Sequence, residues 1–273
     1  MFIWLASYPK SGNTLLRSMV AGYFFSTDGI YNFNLIKNIK QFPHGGLFQK
    51  MGIDIKNPNE TIKNYIKVQE SFNKKSSLQF LKTHSYLFNM NKKYPFTNFK
   101  NSLGVIYIAR DPRNVVTSFS KYRGITHEES ADYMINGSGD GFTWTSNWAN
   151  NFHSWKVFRE HEKYLLIKYE DLINNRELTF LKVLKFLHKV KNVKFELDKS
   201  KFDNVIKTTT FDSMQKLEKQ KGFSEAGIDV KTGEKVPFFN LGPKNDWRKY
   251  LDLSIKQKLE KAFKKEMIEL SYM

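Results

Sequence analysis

The chain has 273 residues, with 44 Lys plus Arg against 27 Asp plus Glu, a formal charge of +17 and no Cys. At 40% hydrophobic and 15% aromatic it holds too much core-forming material for a disordered segment, and its length fits one domain over 1–273. The missing thiol excludes a disulfide framework, Cys-ligated zinc, an iron–sulfur cluster and a thiolate nucleophile.

The first residues, Met1 to Ser7, are apolar but short, follow no basic stretch and run into Tyr8-Pro9-Lys10 without a small-residue cleavage pattern. They do not read as a signal peptide. No run approaches the ~18 consecutive apolar residues that would span a bilayer, so a soluble, cytoplasmic protein is expected. The charge excess fits an anionic partner. It also fits codon bias in an A+T-rich genome, because only seven of the 44 basic residues are Arg.

Four nearly continuous apolar runs are predicted as strands: Phe2–Ser7, Leu78–Thr83, Val105–Ala109 and Leu165–Lys168. Continuous apolar character suits strands buried on both faces of a parallel sheet. Helical periodicity covers Thr14–Phe25, Pro112–Tyr122, Trp144–Glu162, Leu178–His188 and Ser254–Leu270. The alternation predicts an α/β fold, a P-loop-like three-layer arrangement with a mainly parallel central sheet flanked by helices. Trp144, Trp148, Phe152, Trp155 and Phe158 recur at helical spacing and read as one core-facing stripe. Three stretches fit the alternation poorly, Thr27–Lys75, Arg123–Phe142 and Asp212–Pro237, and read as excursions around a site. Within the second, Asn136–Gly141 carries three glycines and suits either a flap or a surface turn.

In an open parallel sheet, ligands bind beyond the carboxyl ends of the strands. Past the four predicted strands come Lys10, Lys82 with His84, Arg110, and Tyr169 with Glu170, so every strand delivers polar or cationic groups to one edge. The loop Tyr8-Pro-Lys-Ser-Gly-Asn-Thr14 leads into a helix whose first N–H groups have no intrahelical acceptor, which makes an anion cradle. Its Lys precedes the Gly by two residues, unlike the Walker pattern, which disfavours an ordinary ATPase. At the third strand end, Asp111 suits an N-cap and Pro112 the first helical turn, with Arg110 beside that N-terminus. His127-Glu128-Glu129 lacks the second His of a zinc-protease helix and reads as a solvated helix start.

These segments together resemble the sulfotransferases that use 3'-phosphoadenylyl sulfate (PAPS). Tyr8 to Thr14 is similar to the family's 5'-phosphosulfate loop, Arg110 to Ser118 to its 3'-phosphate strand and helix, and Leu241-Gly-Pro-Lys-Asn-Asp-Trp247 to its late G-x-x-x-D-W segment. Lys82-Thr-His84 and Tyr169-Glu-Asp171 stand where the family carries K-T-H and Y-E-D. The resemblance implies transfer of a sulfuryl group from PAPS to a hydroxyl or amine of a small-molecule or glycan acceptor, with no metal. It also implies roles: Lys10 on the leaving phosphate, Ser11, Gly12, Asn13 and Thr14 around the 5'-phosphate, and Arg110 and Ser118 on the 3'-phosphate. His84 would be the general base and Lys82 a cation at the sulfuryl oxygens. Tyr169, Thr210 and Phe211 would touch adenine or ribose, and Gly242 and Lys244 would lie in the late nucleotide-binding segment.

Two sites depart from the pattern. Leu15 replaces a Trp, and Asn240 and Leu241 replace the Arg-Lys before the late glycine, leaving Lys244 as a partial substitute for two phosphate cations. A P-loop kinase using ATP and magnesium, a non-catalytic basic binder of nucleic acid or acidic glycan, and an enzyme that has lost activity are the rival readings. Nucleic acid is not the expected partner.

Overall fold

The computed structural model describes residues 1–73, 77–137, 143–228 and 233–273. Its central sheet has five strands: β1 (Phe2–Ser7), β2 (Lys40–Gln41), β3 (Gln79–Thr83), β4 (Ser102–Ala109) and β5 (Tyr164–Lys168). Their order is β2-β3-β1-β4-β5, and every pairing is parallel. The four predicted strands are present. The two-residue β2 was not foreseen, because Lys40 and Gln41 carry no apolar signal and join the sheet edge only through pairing with Leu81 and Lys82.

Alternate residues of β1 face opposite layers, as the strand period of two requires. Phe2, Trp4 and Ala6 join one aromatic-rich core with Tyr107, Trp148, Phe152, Trp155 and Phe158. Ile3 and Leu5 join the opposite core with Leu16, Ile106, Ile108 and Val183. Each fully buried large apolar side chain contributes about 1.5–3 kcal/mol relative to exposure. β1 therefore contributes buried side chains to both layers, as does β4.

The principal helices are α1 (Asn13–Phe25), α2 (Pro112–Arg123), α3 (His127–Asn136), α4 (Trp148–Ser154), α5 (Tyr169–Asn174), α6 (Arg176–Lys191), α7 (Lys199–Thr208), α8 (Phe211–Lys221), α9 (Leu253–Ala262) and α10 (Lys264–Glu269). Several expectations are corrected here. The helix predicted over Trp144–Glu162 is a short α4 followed by a 3-10 segment, Trp155–His161, with Trp144 outside both. The stripe still packs into the core, because tightening the helix keeps Trp155 and Phe158 on the buried side. The last predicted helix is broken at Phe263, which is buried and ends α9 before α10 begins. The three stretches read as irregular contain helices: Pro58–Lys63 and Tyr65–Phe72 in the first, α3 in the second, most of α8 in the third. α3 starts as a capping box, Thr126 with Glu129, so His127 and its neighbours are a helix start. Of the Asn136–Gly141 stretch, 138–141 lie outside the described residues. Among the described residues, no helix is long and apolar enough to cross a membrane.

Candidate functional site

The chain visits β3 on one side of β1 and then β4 on the other, so a crevice opens beyond the carboxyl ends of these strands. A cavity of ≈ 460 Å³ lies there. Lys10, Gly12, Asn13, Thr14, Lys82, His84, Arg110, Ser118, Tyr169, Phe211 and Gly242 all line it. Three other sequence-predicted residues do not. Ser11, within the loop, is wholly buried. Thr210 is the N-cap of α8, where its hydroxyl accepts from Ser213 N at 3.2 Å. Lys244 is exposed on a 3-10 turn away from the lining.

The turn out of β1 is shaped by two left-handed residues, Lys10 (φ 63) and Gly12 (φ 97), the latter capping α1. Asn13 ties this turn to its strand, donating to Leu5 O at 2.9 Å and Ser7 Oγ at 3.2 Å. Among the described residues no side chain caps α1, which leaves its first N–H groups facing the cavity end of the helix. Gly12 is required for a second reason: a Cβ there would meet Tyr169 Cδ2 at 2.5 Å. The same Tyr169 ring lies 4.2 Å from the Arg110 guanidinium, whose Nη1 donates to Lys10 O at 2.9 Å. Loop, β4 end and β5 end are thus locked together at one point.

The Lys10 ammonium lies between the rings of Tyr122 (4.2 Å) and Phe238 (4.4 Å). Burial, with Arg110 and Lys82 nearby, lowers its pKa to about 8. Lys82, 8% exposed, is likewise pushed down to about 8, chiefly by burial, although Glu225 opposes the shift. Its Nζ is 3.6 Å from Glu225 Oε2.

His84 Nδ1 lies 2.9 Å from Ser7 O and 3.2 Å from Ser7 Oγ. The carbonyl can only accept, so Nδ1 carries the proton and donates to it, leaving Nε2 as the basic nitrogen. Burial first, and Lys82 second, depress the ring's pKa to about 3, so it is neutral near pH 7. The core stripe supports this position. Asn151 Nδ2 donates to His84 O at 2.9 Å and Thr145 O at 2.8 Å, Tyr107 Oη donates to Asn151 Oδ1 at 2.8 Å, and Trp155 Nε1 donates to Ser85 O at 3.1 Å.

On α2, Asp111 caps Arg113 N at 2.9 Å, as expected from sequence. Asn114 and Thr117 of the same helix bind the late segment through Trp247 N and Asn245, at 2.9 Å each, while Arg113 stacks 4.1 Å over Trp247. That fastening brings Asn240 to Lys121, whose Nζ donates to Asn240 Oδ1 at 3.1 Å. Lys121 and Arg123 add two cations to the lining, one turn beyond Ser118.

Sequence reasoning missed Glu225, Arg17, Asn151 and Lys121. Only Arg17 and Lys121 had a local signal, at i+3 from Thr14 and Ser118. The stretches read as irregular each supply lining residues: Gln41, then Arg123 and Tyr133, then Met214, Glu225 and Pro237.

Residues 2–271 match the model of the Sulfotransferase domain. The chain belongs to the sulfotransferase domain family. Sulfotransferase 2A1 of Macaca fascicularis is 26% identical over 181 residues, which are 65% of this chain and 61% of that protein. Against these first relatives the chain therefore spans about three-fifths of their length. Rat (Rattus norvegicus) sulfotransferase 1E1 is 23% identical over 269 residues, 96% of this chain and 82% of its own. Among solved structures, mouse sulfotransferase SULT7A1 complexed with PAP superposes with a TM-score of 0.64 at 17% identity, covering 97% of this chain and 84% of that one. Retinol dehydratase with retinol and PAP gives 0.60 at 15% identity, with 97% and 81% coverage. These structural matches establish the shared α/β sulfotransferase fold.

Proposed function

We propose that this protein transfers a sulfuryl group from PAPS to a hydroxyl or amine acceptor, with His84 as general base. The observation that carries the reading is the convergence of three buried or part-buried cations, Lys10, Lys82 and Arg110, with a neutral imidazole in one cavity. The residues fit a bisphosphorylated nucleotide. Arg110, which lines the cavity, has a buried Nε without a hydrogen-bond partner among the described residues, and the space a Cβ at Gly12 would fill is bounded by an aromatic ring. Both SULT7A1 and retinol dehydratase are described with PAP, adenosine 3',5'-bisphosphate, which is the product the donor would leave.

Bound PAPS would supply the sulfuryl group: the bond from the acceptor oxygen or nitrogen to sulfur forms as the bond from sulfur to the bridging phosphate oxygen breaks, and the electron pair stays on that phosphate. Lys10 and the α1 N-terminus offset the charge gathering on the phosphate, where low local dielectric strengthens the interaction. His84 Nε2 receives the acceptor proton, and the Ser7 carbonyl stabilises the imidazolium through Nδ1–H. Arg110, Ser118 and Lys121 hold the 3'-phosphate. Lys121, positioned by Asn240, replaces from the helix side the cations lost at Asn240 and Leu241. The acceptor we assign is a small molecule; retinol, named with one structural neighbour, is of that class.

Calorimetry with PAP and ATP tests the donor, and single-turnover transfer from PAPS tests the base. PAP binding at least tenfold tighter than magnesium-ATP is expected, and His84→Ala loses about 10²–10⁴-fold in turnover while keeping PAP affinity within about threefold. Preference for ATP, or full turnover without the imidazole, refutes the reading.

A further inference from the structure

The mechanism above leaves one cavity-lining carboxylate without a task. Glu225 lies in the segment after α8 and is carried more than two hundred residues along the chain to reach α1, where its Oε1 accepts from Arg17 Nη1 at 2.7 Å. Its Oε2 stands 3.5 Å from Thr14 Oγ1 and 3.6 Å from Lys82 Nζ, between the 5'-loop helix and the end of β3. Arg17 is itself fixed, since Nη2 donates to Ile39 O at 3.2 Å. An acidic side chain inside a cavity built to attract anions repels the donor unless it organises the cations, and this one touches two of them.

We propose that Glu225 is a positioning residue: anchored by Arg17, it holds the Lys82 ammonium in place and charged at the sulfuryl end of the donor. The inference rests on the PAPS reading above. The charged and titratable groups facing Glu225 are Arg17 and Tyr31 from one side, Lys82 on β3 with His84 just past its end, and Lys10 from the first loop. Burial alone would raise the Glu225 pKa, but Lys82 and Arg17 hold it at about 2, so the carboxylate is ionised throughout the working range. Lys82, already down at about 8 through burial, is the group whose proton depends on that neighbour. Without Glu225, the same burial and the same Arg17 charge push the ammonium to deprotonate nearer neutrality.

Lys82 meets the sulfuryl group, which PAPS has and PAP lacks, so the ratio of the two affinities isolates its contribution. Calorimetric titrations of full-length wild type and Glu225→Gln with each nucleotide, between pH 6 and 8, measure that ratio in both proteins, and ligand ionisation cancels between them. We expect the PAPS preference of Glu225→Gln to fall about tenfold over this range, against less than about threefold in wild type. Glu225→Asp, which keeps the charge, retains the wild-type profile and serves if the Gln variant fails to fold. A ratio in Glu225→Gln that tracks wild type at every pH, including an equal weakening of both nucleotides, overturns the proposal, as does a steepened profile in Glu225→Asp. Wild type that binds neither nucleotide overturns the donor reading instead.

Discussion

Replacing Gly12 with Ala tests the joint on which the nucleotide cradle depends. Two penalties are separable. An L-residue at φ 97 lies outside the favoured left-handed region, which costs about 1–2 kcal/mol. The added methyl would stand 2.5 Å from Tyr169 Cδ2, about an ångström inside contact distance, and displacing a packed ring costs about 1–3 kcal/mol more. The total of about 2–5 kcal/mol corresponds to a Tm lower by roughly 5–15 °C for a chain of this size. Pushing Tyr169 outward also removes the ring beneath Arg110, so PAP affinity is expected to fall at least about tenfold. Thermal melting followed by circular dichroism, with PAP calorimetry, measures both effects. Repeating Gly12→Ala in a Tyr169→Ala background removes the collision, leaving only the backbone penalty and a coupling of about 1–3 kcal/mol between the sites. Equal losses in the two backgrounds refute the ring contact, and a Gly12→Ala protein as stable as wild type refutes the whole argument.

The remaining predictions concern charge. Arg110→Gln removes a buried cation whose free Nε is available to a phosphate, and a PAP dissociation constant raised by about 10²-fold is expected; Lys121→Ala, on an exposed stem, raises it only about 3–10-fold, with the larger loss at low salt. Equal effects of the two substitutions speak against Lys121 being the subordinate cation. For His84, the folded pKa of about 3 lies below the unfolded value, so the stability from keeping the ring neutral is complete above pH ~6.5 and is lost as pH falls toward 3, up to about 5 kcal/mol. Urea unfolding across that window is therefore flatter in His84→Asn than in wild type; parallel curves contradict the buried neutral imidazole.

Much of the fold was legible because its signals are local. A strand inside a parallel sheet favours a nearly continuous apolar run, and β1, β3, β4 and β5 each have one; β2 has none and exists only because β3 offers it an edge. The aromatic stripe was readable as core, but its helix was too long by more than half, since Trp155–His161 tightens into a 3-10 helix in which Trp155 and Phe158 stack. In the site, Lys10, His84 and Arg110 were found because each follows a strand, and a parallel sheet sends all strand ends to one edge.

The roles of Thr210 and Lys244 were not legible from position alone. The first caps a helix and the second faces solvent, both consequences of how the α8 and Trp247 segments dock. Glu225 was invisible for the same reason: its partners Arg17 and Lys82 lie far away along the chain, and one glutamate in a segment of mixed charge carries no pattern.

By itself, then, the sequence determined the parallel sheet, the glycine-containing turn out of β1 and the family, because backbone preference, burial period and strand-end placement are properties of short segments. Only tertiary packing decided that His84 Nδ1 faces the Ser7 carbonyl, that Lys121 reaches Asn240, and that an acid sits among the cations. Those outcomes depend on distances between segments that no local spacing encodes.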